Sequence, residues 1–317
     1  FFDFLPELNS LDIAVISRPF PLAIESIPLL NTFLVQLNKK MDISIQIDDL
    51  NRNGNLNYAE KILDDEIEFI PNDPYYSNSW WHTRINSPSA WDISMGDSKI
   101  VVAVVDDAVH ISHPDLQNII WVNEDEIPNN GIDDDGNGYV DDYDGWNPVQ
   151  NNDNYGTGAH GTNCLGMMGA KGNNGLNVVG ANWDVKLMVI GGYNINTDAN
   201  AIAAYQYPLD MRALWNSSGG TEGAFVVAVN CSWGIDNAYS EDHPIWCSLL
   251  DSLGAYGIIP VGAVTNNAID IDIAGDMPSD CPSDFLITVH ESNDQGQYKL
   301  GSGYGQKNVD IAAPGSV

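Results

Sequence analysis

Basic residues are scarce in this sequence, and their scarcity limits the partners that it can bind. The 317 residues include 12 Lys and Arg against 44 Asp and Glu, a formal net charge of −32 at pH 7. Binding to nucleic acid requires basic surface that neutralises phosphates, so the composition predicts no nucleic-acid partner. The excess of carboxylates favours bound cations, a saline environment or basic substrates, with a solvated acidic surface as the alternative.

Long apolar runs and paired cysteine motifs are also missing. No run of about 18 apolar residues occurs, so the sequence predicts no transmembrane span. None of the four cysteines has the CxxC spacing of a zinc site, so no zinc is expected. The chain begins with Phe-Phe-Asp and has no charged-then-apolar leader, which leads us to expect that a targeting segment has been removed or lies upstream.

Apolar β-branched runs alternate with helical patterns over most of the chain. The run KIVVAVVDD at 99–107 ends in two carboxylates and is typical of a strand buried on both faces. Similar runs occupy 185–192, 224–234, 257–264 and 285–292. Helical patterns occupy 160–170, 198–216 and 243–257, and we expect the second to break or kink at Pro208. This alternation predicts a parallel α/β sheet that binds ligands where its strands end.

Three polar residues stand where such strands and helices meet. Asp106 ends the first run, His160 begins the helical segment HGTNCLGMMGA, and Asn266 lies in PVGAVTNNA. Each alone has an ordinary explanation, since an aspartate at a strand end is usually a cap or a turn former. Together and in this order, they match the aspartate, histidine and oxyanion-binding asparagine of one class of serine protease.

From about residue 70 to the end, the sequence resembles the subtilisin-like serine proteases. The matching segments, in chain order, are VVAVVDDAVHISHPDL, HGTNCLGMMGA, VNCSWG, PVGAVTNNA and VDIAAPG. The resemblance implies a three-layer α/β catalytic domain with a mainly parallel sheet over 70–317. It also implies a small α+β propeptide-like segment over 1–69. The whole would be a secreted or cell-surface serine endopeptidase that acts on polypeptides.

The resemblance also assigns roles to individual residues. Asp106 would orient His160, His160 would be the general base, and Asn266 would donate to the oxyanion. The backbone of Ser232, Trp233 and Gly234 would pair with an extended substrate. The sequence departs from the family pattern in three places: Asp107-Ala108 replaces Thr-Gly, Asn163 replaces a histidine, and Thr265 replaces a glycine.

The serine nucleophile is missing from the 317 residues. No Gly-Thr-Ser-like block occurs, and Ser232, Ser302 and Ser316 lie in none of the motifs that activate a serine. We therefore expect the nucleophile beyond residue 317 and the given chain to be inactive alone. The alternative is a catalytically inactive peptide-binding or structural surface protein of the same fold.

The segment 1–69 is expected to act as an intramolecular inhibitor of the substrate groove. This expectation depends on its position before the PNDP entry to the catalytic domain and on its alternating pattern. It contains no Trp and no Cys, unlike the rest of the chain. A purely structural extension is the alternative.

Acidic segments favour Ca²⁺ as the cofactor, with an unliganded acidic turn as the alternative. The segment GIDDDGNGYVDDYDGW at 131–146 resembles the first half of an EF-hand loop. Its expected ligands are Asp133, Asp135, Asn137, the carbonyl of Tyr139, and Asp141. The segment 49–60 is a weaker match, because the preceding DISIQI favours a strand over an entering helix. The segment 171–180, with Asn174 as a ligand, resembles a calcium-binding loop of the family.

On the premise of export, Cys247 and Cys281 are the expected disulfide, since they flank the oxyanion strand. Cys164 and Cys231 are expected to act as small hydrophobic residues.

Overall fold

The computed structural model describes residues 8, 11–18, 31–38, 43–60, 70–192, 195 and 197–315. The chain divides into two compact units, Phe1–Glu66 and Ile67–Val317. Ser316 and the whole of the segment 61–69 lie outside the described residues.

The smaller unit contains a two-stranded antiparallel sheet and one helix. Strand β1 (Ile13–Ser17) pairs with β2 (Leu34–Leu37), and helix α1 spans Ser44–Arg52. Leu50 of α1 is buried against Leu8. The strand expected from DISIQI is therefore wrong, because packing of the helix outweighs the β propensity of its isoleucines.

A seven-stranded sheet with every neighbouring pair parallel forms the centre of the larger unit. Its strands are β3 (Val101–Asp106), β4 (Gly145–Trp146), β5 (Lys186–Gly191), β6 (Val226–Cys231), β8 (Ile259–Ala263), β10 (Ile287–Ser292) and β11 (Ile311–Pro314). They lie in the order β11-β10-β8-β6-β3-β5-β4. Strands β7 (Ile235–Asp236) and β9 (Asp276–Met277) form a separate antiparallel pair.

Helices cover both faces of this sheet. The helices of the larger unit are α2 (Trp80–Arg84), α3 (Ser87–Trp91), α4 (Ala159–Gly169), α5 (Asp198–Ser218), α6 (Pro244–Ala255) and α7 (Ile271–Ala274). Ala103 of β3 joins the core cluster that contains Tyr205 of α5 and Leu250 of α6. Val104 joins the opposite cluster with Leu165 of α4. Successive β3 residues therefore face opposite helix layers, which confirms the predicted three-layer α/β fold with a mainly parallel sheet.

Helix α5 continues through Pro208, so the expected break was wrong. Proline removes one backbone donor from a helix. The residues around it, Tyr205, Tyr207 and Met211, are almost fully buried. Their burial supplies packing energy that offsets the lost hydrogen bond.

In the described part of the chain, no helix is long and apolar enough to cross a membrane.

Candidate active site

Asp106 and His160 meet where β3 ends and α4 begins. His160 Nδ1 lies 2.7 Å from Asp106 Oδ1, which is hydrogen-bond distance. Asp106 is 2 % exposed, whereas the His160 side chain is 58 % exposed. A Cβ atom on Gly161 would lie 2.5 Å from the Ala108 carbonyl oxygen, so glycine permits this close approach of helix and strand. The buried carboxylate therefore holds one edge of the ring and leaves the other edge towards solvent.

The two groups influence each other's protonation. The hydrogen bond from His160 to Asp106 raises the pKa of His160 above its usual range, and the nearby charge of Asp107 adds to this effect. Burial raises the pKa of Asp106, against hydrogen bonds from His160 and the Asp107 backbone that lower it. With Nδ1 donating to Asp106, the neutral ring has an unprotonated Nε2 that can accept a proton.

We expect an NMR titration to place the pKa of His160 above the ordinary histidine value, and Asp106→Asn to lower it. A histidine whose pKa is higher in the folded than in the unfolded state stabilises the fold when it is protonated. This contribution is complete at pH values below the pKa of the unfolded state. That contribution disappears as the pH rises through the folded pKa. Asp251→Asn, an exposed change on α6, is the control and should leave the pKa of His160 unchanged. Identical His160 curves for the wild-type and Asp106→Asn chains would contradict the pairing.

A groove of about 690 Å³ contains this pair and the other predicted site residues. The Ser232-Trp233-Gly234 segment follows β6, and the exposed Asn266 follows β8; both line the groove. The carboxyl ends of β3, β6 and β8 lie side by side in the sheet, which is why these residues meet. The structure thus brings together all six residues predicted for catalysis and substrate binding.

Side-chain contacts fix the walls of the groove. Trp233 Nε1 donates to the Val105 carbonyl at 3.2 Å, which ties this segment to β3. A Cβ on Gly234 would lie 2.3 Å from the Met277 carbonyl oxygen, so the wall at 234 lies directly on β9. Thr265 stands where the family pattern has a glycine. Its backbone N–H donates to Asp276 Oδ2 at 3.0 Å.

No serine in the described part of the chain forms a hydrogen bond with His160. Ser232 Oγ accepts instead from Asn230 Nδ2 at 2.8 Å. Ser302 is buried, and its hydroxyl oxygen lies 3.5 Å from the Glu291 backbone nitrogen. Ser316 lies outside the described residues. The geometry therefore pairs His160 with Asp106 and places Asn266 on the same groove, and no described serine is hydrogen-bonded to His160.

The acidic loop brings two of its predicted ligands together with a residue that sequence spacing missed. Oxygens of Glu126, Asp133 and Asp135 lie within 4.8 Å of one another. Glu126 is 3 % exposed, and its Oε2 has no hydrogen-bond partner. Burial raises the pKa of Glu126 to about 7, and the charges of nearby aspartates add to this effect. A buried carboxylate oxygen without a partner fits a cation ligand, because its burial is otherwise costly.

The other predicted ligands of this loop make different contacts. Asp141 has a positive φ of 53°, and its carboxylate accepts from the backbone N–H groups of Asn130 and Gly131. The Asn137 amide donates to Asp135 and Asp142. The Tyr139 hydroxyl donates to Asp210. The loop therefore departs from the EF-hand pattern at Asp141, whose carboxylate closes a backbone turn.

A second oxygen-rich cluster surrounds the loop 171–180. Asn174 Nδ2 donates to Asp115 Oδ1 at 3.2 Å, and the Asn173 backbone donates to Asp73 Oδ2 at 2.7 Å. Asp73 Oδ1 is buried and has no partner. Sequence reasoning named Asn174 here and missed both aspartates. In the segment 49–60, by contrast, the Asn51 amide pairs with the backbone of Ala59 through two hydrogen bonds.

Two of the four cysteines form a disulfide, and the other two are free thiols. Cys247 of α6 and Cys281 are joined by a disulfide, with their Cα atoms 5.2 Å apart. Burial raises the pKa of both Cys164 and Cys231 to about 12. Both thiols therefore remain protonated near neutral pH, which disfavours a nucleophilic role.

Comparisons with known proteins point to one family. The model of peptidase S8, the subtilase family, matches residues 97–317. Halolysin of Haloferax mediterranei is 34 % identical over 92 residues, 29 % of this chain and 17 % of halolysin. The halolysin-like extracellular serine protease Nep of Natrialba magadii is 29 % identical over 106 residues, 33 % of this chain and 18 % of Nep.

A solved structure extends the likeness over most of the chain. A protease from Pseudoalteromonas arctica is 25 % identical with a TM-score of 0.56, over 77 % of this chain and 72 % of that one. The matches to the two curated relatives each span less than one fifth of the relative's length.

Proposed function

Because the chain belongs to the subtilase family, we propose that it carries the base, its orienting carboxylate and the oxyanion donor of a subtilisin-type serine endopeptidase. The observation that carries this proposal is the 2.7 Å contact between His160 and the buried Asp106, on the wall of the groove that Asn266 also lines. The test is fluorophosphonate labelling of a chain extended past residue 317.

In this mechanism each residue has one task. His160 Nε2 accepts the hydroxyl proton of the serine as it attacks the peptide carbonyl, and later returns the proton to the leaving amine. Asp106 holds the ring in the required tautomer and stabilises its charged form. The Asn266 amide donates to the oxygen that becomes negative in the tetrahedral intermediate. The backbone of 232–234 offers hydrogen bonds to an extended substrate.

We place the nucleophile outside the 317 residues. Two observations support this: the sequence has no Gly-Thr-Ser-like block, and no described serine is bonded to His160. The residues that bind and orient the substrate do not depend on that serine. They are therefore expected to be formed in the given chain.

We further propose that the enzyme is calcium-dependent. Glu126, Asp133 and Asp135 would hold one Ca²⁺, and a second would be held by Asp73, Asp115 and Asn174. Support comes from the two buried carboxylate oxygens without partners, Glu126 Oε2 and Asp73 Oδ1. Carboxylate and amide oxygens are the ligands that calcium prefers. When bound, the ions would neutralise crowded carboxylates and stabilise the loops.

Removing calcium is expected to lower the melting temperature by roughly 5–10 °C, since a ligand at 100 times its Kd stabilises the native state by about 2.7 kcal/mol. The measurement is calorimetry in excess calcium and in excess chelator. Glu126→Gln should reduce the difference, and Glu124→Gln, an exposed change two residues away, should not. Equal melting temperatures with and without chelator would count against both sites.

Secretion and self-inhibition complete the proposal. The Cys247–Cys281 disulfide fits an oxidising compartment. One relative, Nep, is described as extracellular. The segment 1–69 would occupy the substrate groove as an inhibitor until it is cleaved, and polypeptides would then be the substrates.

A further inference from the structure

Two carboxylates face each other across the short β7–β9 ladder. Asp236 and Asp276 are direct partners in this antiparallel pair, so their side chains lie on the same face. Both line the groove that contains His160 and Asn266. Asp236 is exposed and Asp276 is 1 % exposed, so the pair extends from the rim of the groove to its floor.

This pair lacks a cationic partner. In the part of the chain that the structure describes, no Lys, Arg or His forms an ion pair with either carboxylate. Like charges opposite each other on a ladder are destabilising. Burial raises the pKa of Asp276 to about 7, and the charges of Asp236 and Asp280 add to this effect. A cation in the groove would relieve this repulsion.

The position of Asp276 fixes which part of a substrate could reach it. Its Oδ2 accepts from the backbone N–H of Thr265, the residue just before Asn266. Asp236 Oδ2 accepts from Asn267 Nδ2, on the other side of Asn266. The two carboxylates are therefore hydrogen-bonded to the two residues that flank Asn266 in the sequence, and both lie on the wall of the same groove. The residue whose carbonyl is bound by Asn266 is the one that precedes the cleaved bond.

We propose that the groove selects peptides with lysine or arginine immediately before the cleaved bond, and that Asp236 and Asp276 bind the charged end of that side chain. This substrate class rests on the proposed function, because it assumes that Asn266 binds the carbonyl of the cleaved bond. Arginine suits the pair well, since a planar guanidinium can donate to two carboxylates at once.

The test compares two peptide amides that differ only at the last residue, arginine in one and its neutral isostere citrulline in the other. Binding to the 1–317 chain is measured by calorimetry, which requires neither the serine nor hydrolysis. The two peptides compete equally with segment 1–69, so the ratio of their affinities is the quantity compared. The arginine peptide is expected to bind about 10- to 100-fold more tightly, the usual range for a hydrogen-bonded charge. Asp236→Asn and Asp276→Asn should each reduce this ratio, and Asp251→Asn, an exposed change on α6, should preserve it.

Equal affinities for the two peptides, or tighter binding of the citrulline peptide, would overturn the proposed selectivity. An unchanged ratio of the arginine to the citrulline affinity in Asp236→Asn would overturn it as well. Asp236 is exposed, so this variant tests the proposal without changing a buried residue. These results are independent of the proposed protease activity, which is judged by labelling of the extended chain. An extended chain that is labelled but prefers neutral peptides would leave the protease proposal standing and reject the basic substrates.

Discussion

A polypeptide of residues 1–317 is expected to remain unlabelled by a fluorophosphonate probe and to leave peptides uncleaved. His160 Nε2 can accept a proton, but no described serine is hydrogen-bonded to its ring to supply one. In subtilisin, loss of the serine alone lowers kcat by about 2 × 10⁶, nearly as much as loss of the whole triad. The measurement is probe labelling with mass-spectrometric mapping, together with hydrolysis of a chromogenic peptide.

A chain extended with its downstream coding sequence should recover both labelling and hydrolysis. The labelled residue is expected to be a serine outside the 317, and His160→Ala in the extended chain should abolish the labelling. Asp251→Asn is the matched control and should be labelled as well as the unmodified chain. Labelling of Ser232 or Ser302 in the short chain would show that the nucleophile has been assigned wrongly. A stop codon directly after Val317 would favour the peptide-binding alternative.

Removing the disulfide is expected to produce the second largest effect. Cys247 and Cys281 close a loop with a sequence separation of 34. In the chain-entropy account, a loop of this length is worth about 4 kcal/mol of stability. For a domain of this size, that corresponds to a drop in melting temperature of roughly 8–15 °C. The measurement is calorimetry of the double variant Cys247→Ala/Cys281→Ala.

Reductant provides the internal control for this prediction. It should lower the melting temperature of the unmodified chain and have little effect on the double variant. Cys164→Ala, which removes a thiol but no disulfide, should retain the sensitivity to reductant. Equal melting temperatures for the double variant and the unmodified chain would show that the disulfide adds no stability.

The residues proposed for catalysis could be located in the sequence because each lies in a short segment of distinctive composition. Asp106 ends a buried β-branched run, and His160 follows at the start of a small-residue helix. These two segments and three others, in matching order along the chain, carried the resemblance to the family. The alternation of such runs with helices also predicted the parallel sheet, because each element has its own hydrophobic period.

The residues proposed to hold calcium could be predicted only in part. Asp133 and Asp135 have EF-hand spacing, but Glu126 joins them through the fold of the loop and not through spacing. Asp141 has the right spacing and a different conformation, since its left-handed backbone directs the carboxylate to a turn. Asp276 was missed because β9 has only two residues, too few to produce a periodic pattern.

The central position of β3 has a consequence for how the site comes into being. Its neighbours β5 and β6 both come much later in the chain, and His160 follows Asp106 by 54 residues. Parallel pairings between distant segments form slowly, because the entropy cost of closing the intervening loop comes before any stabilising contact between the strands. A chain still emerging from the ribosome would therefore contain Asp106 and His160 without a groove to bind a peptide. Peptide binding would be a property of the completed sheet, acquired only after β5, β6 and β8 have been synthesised.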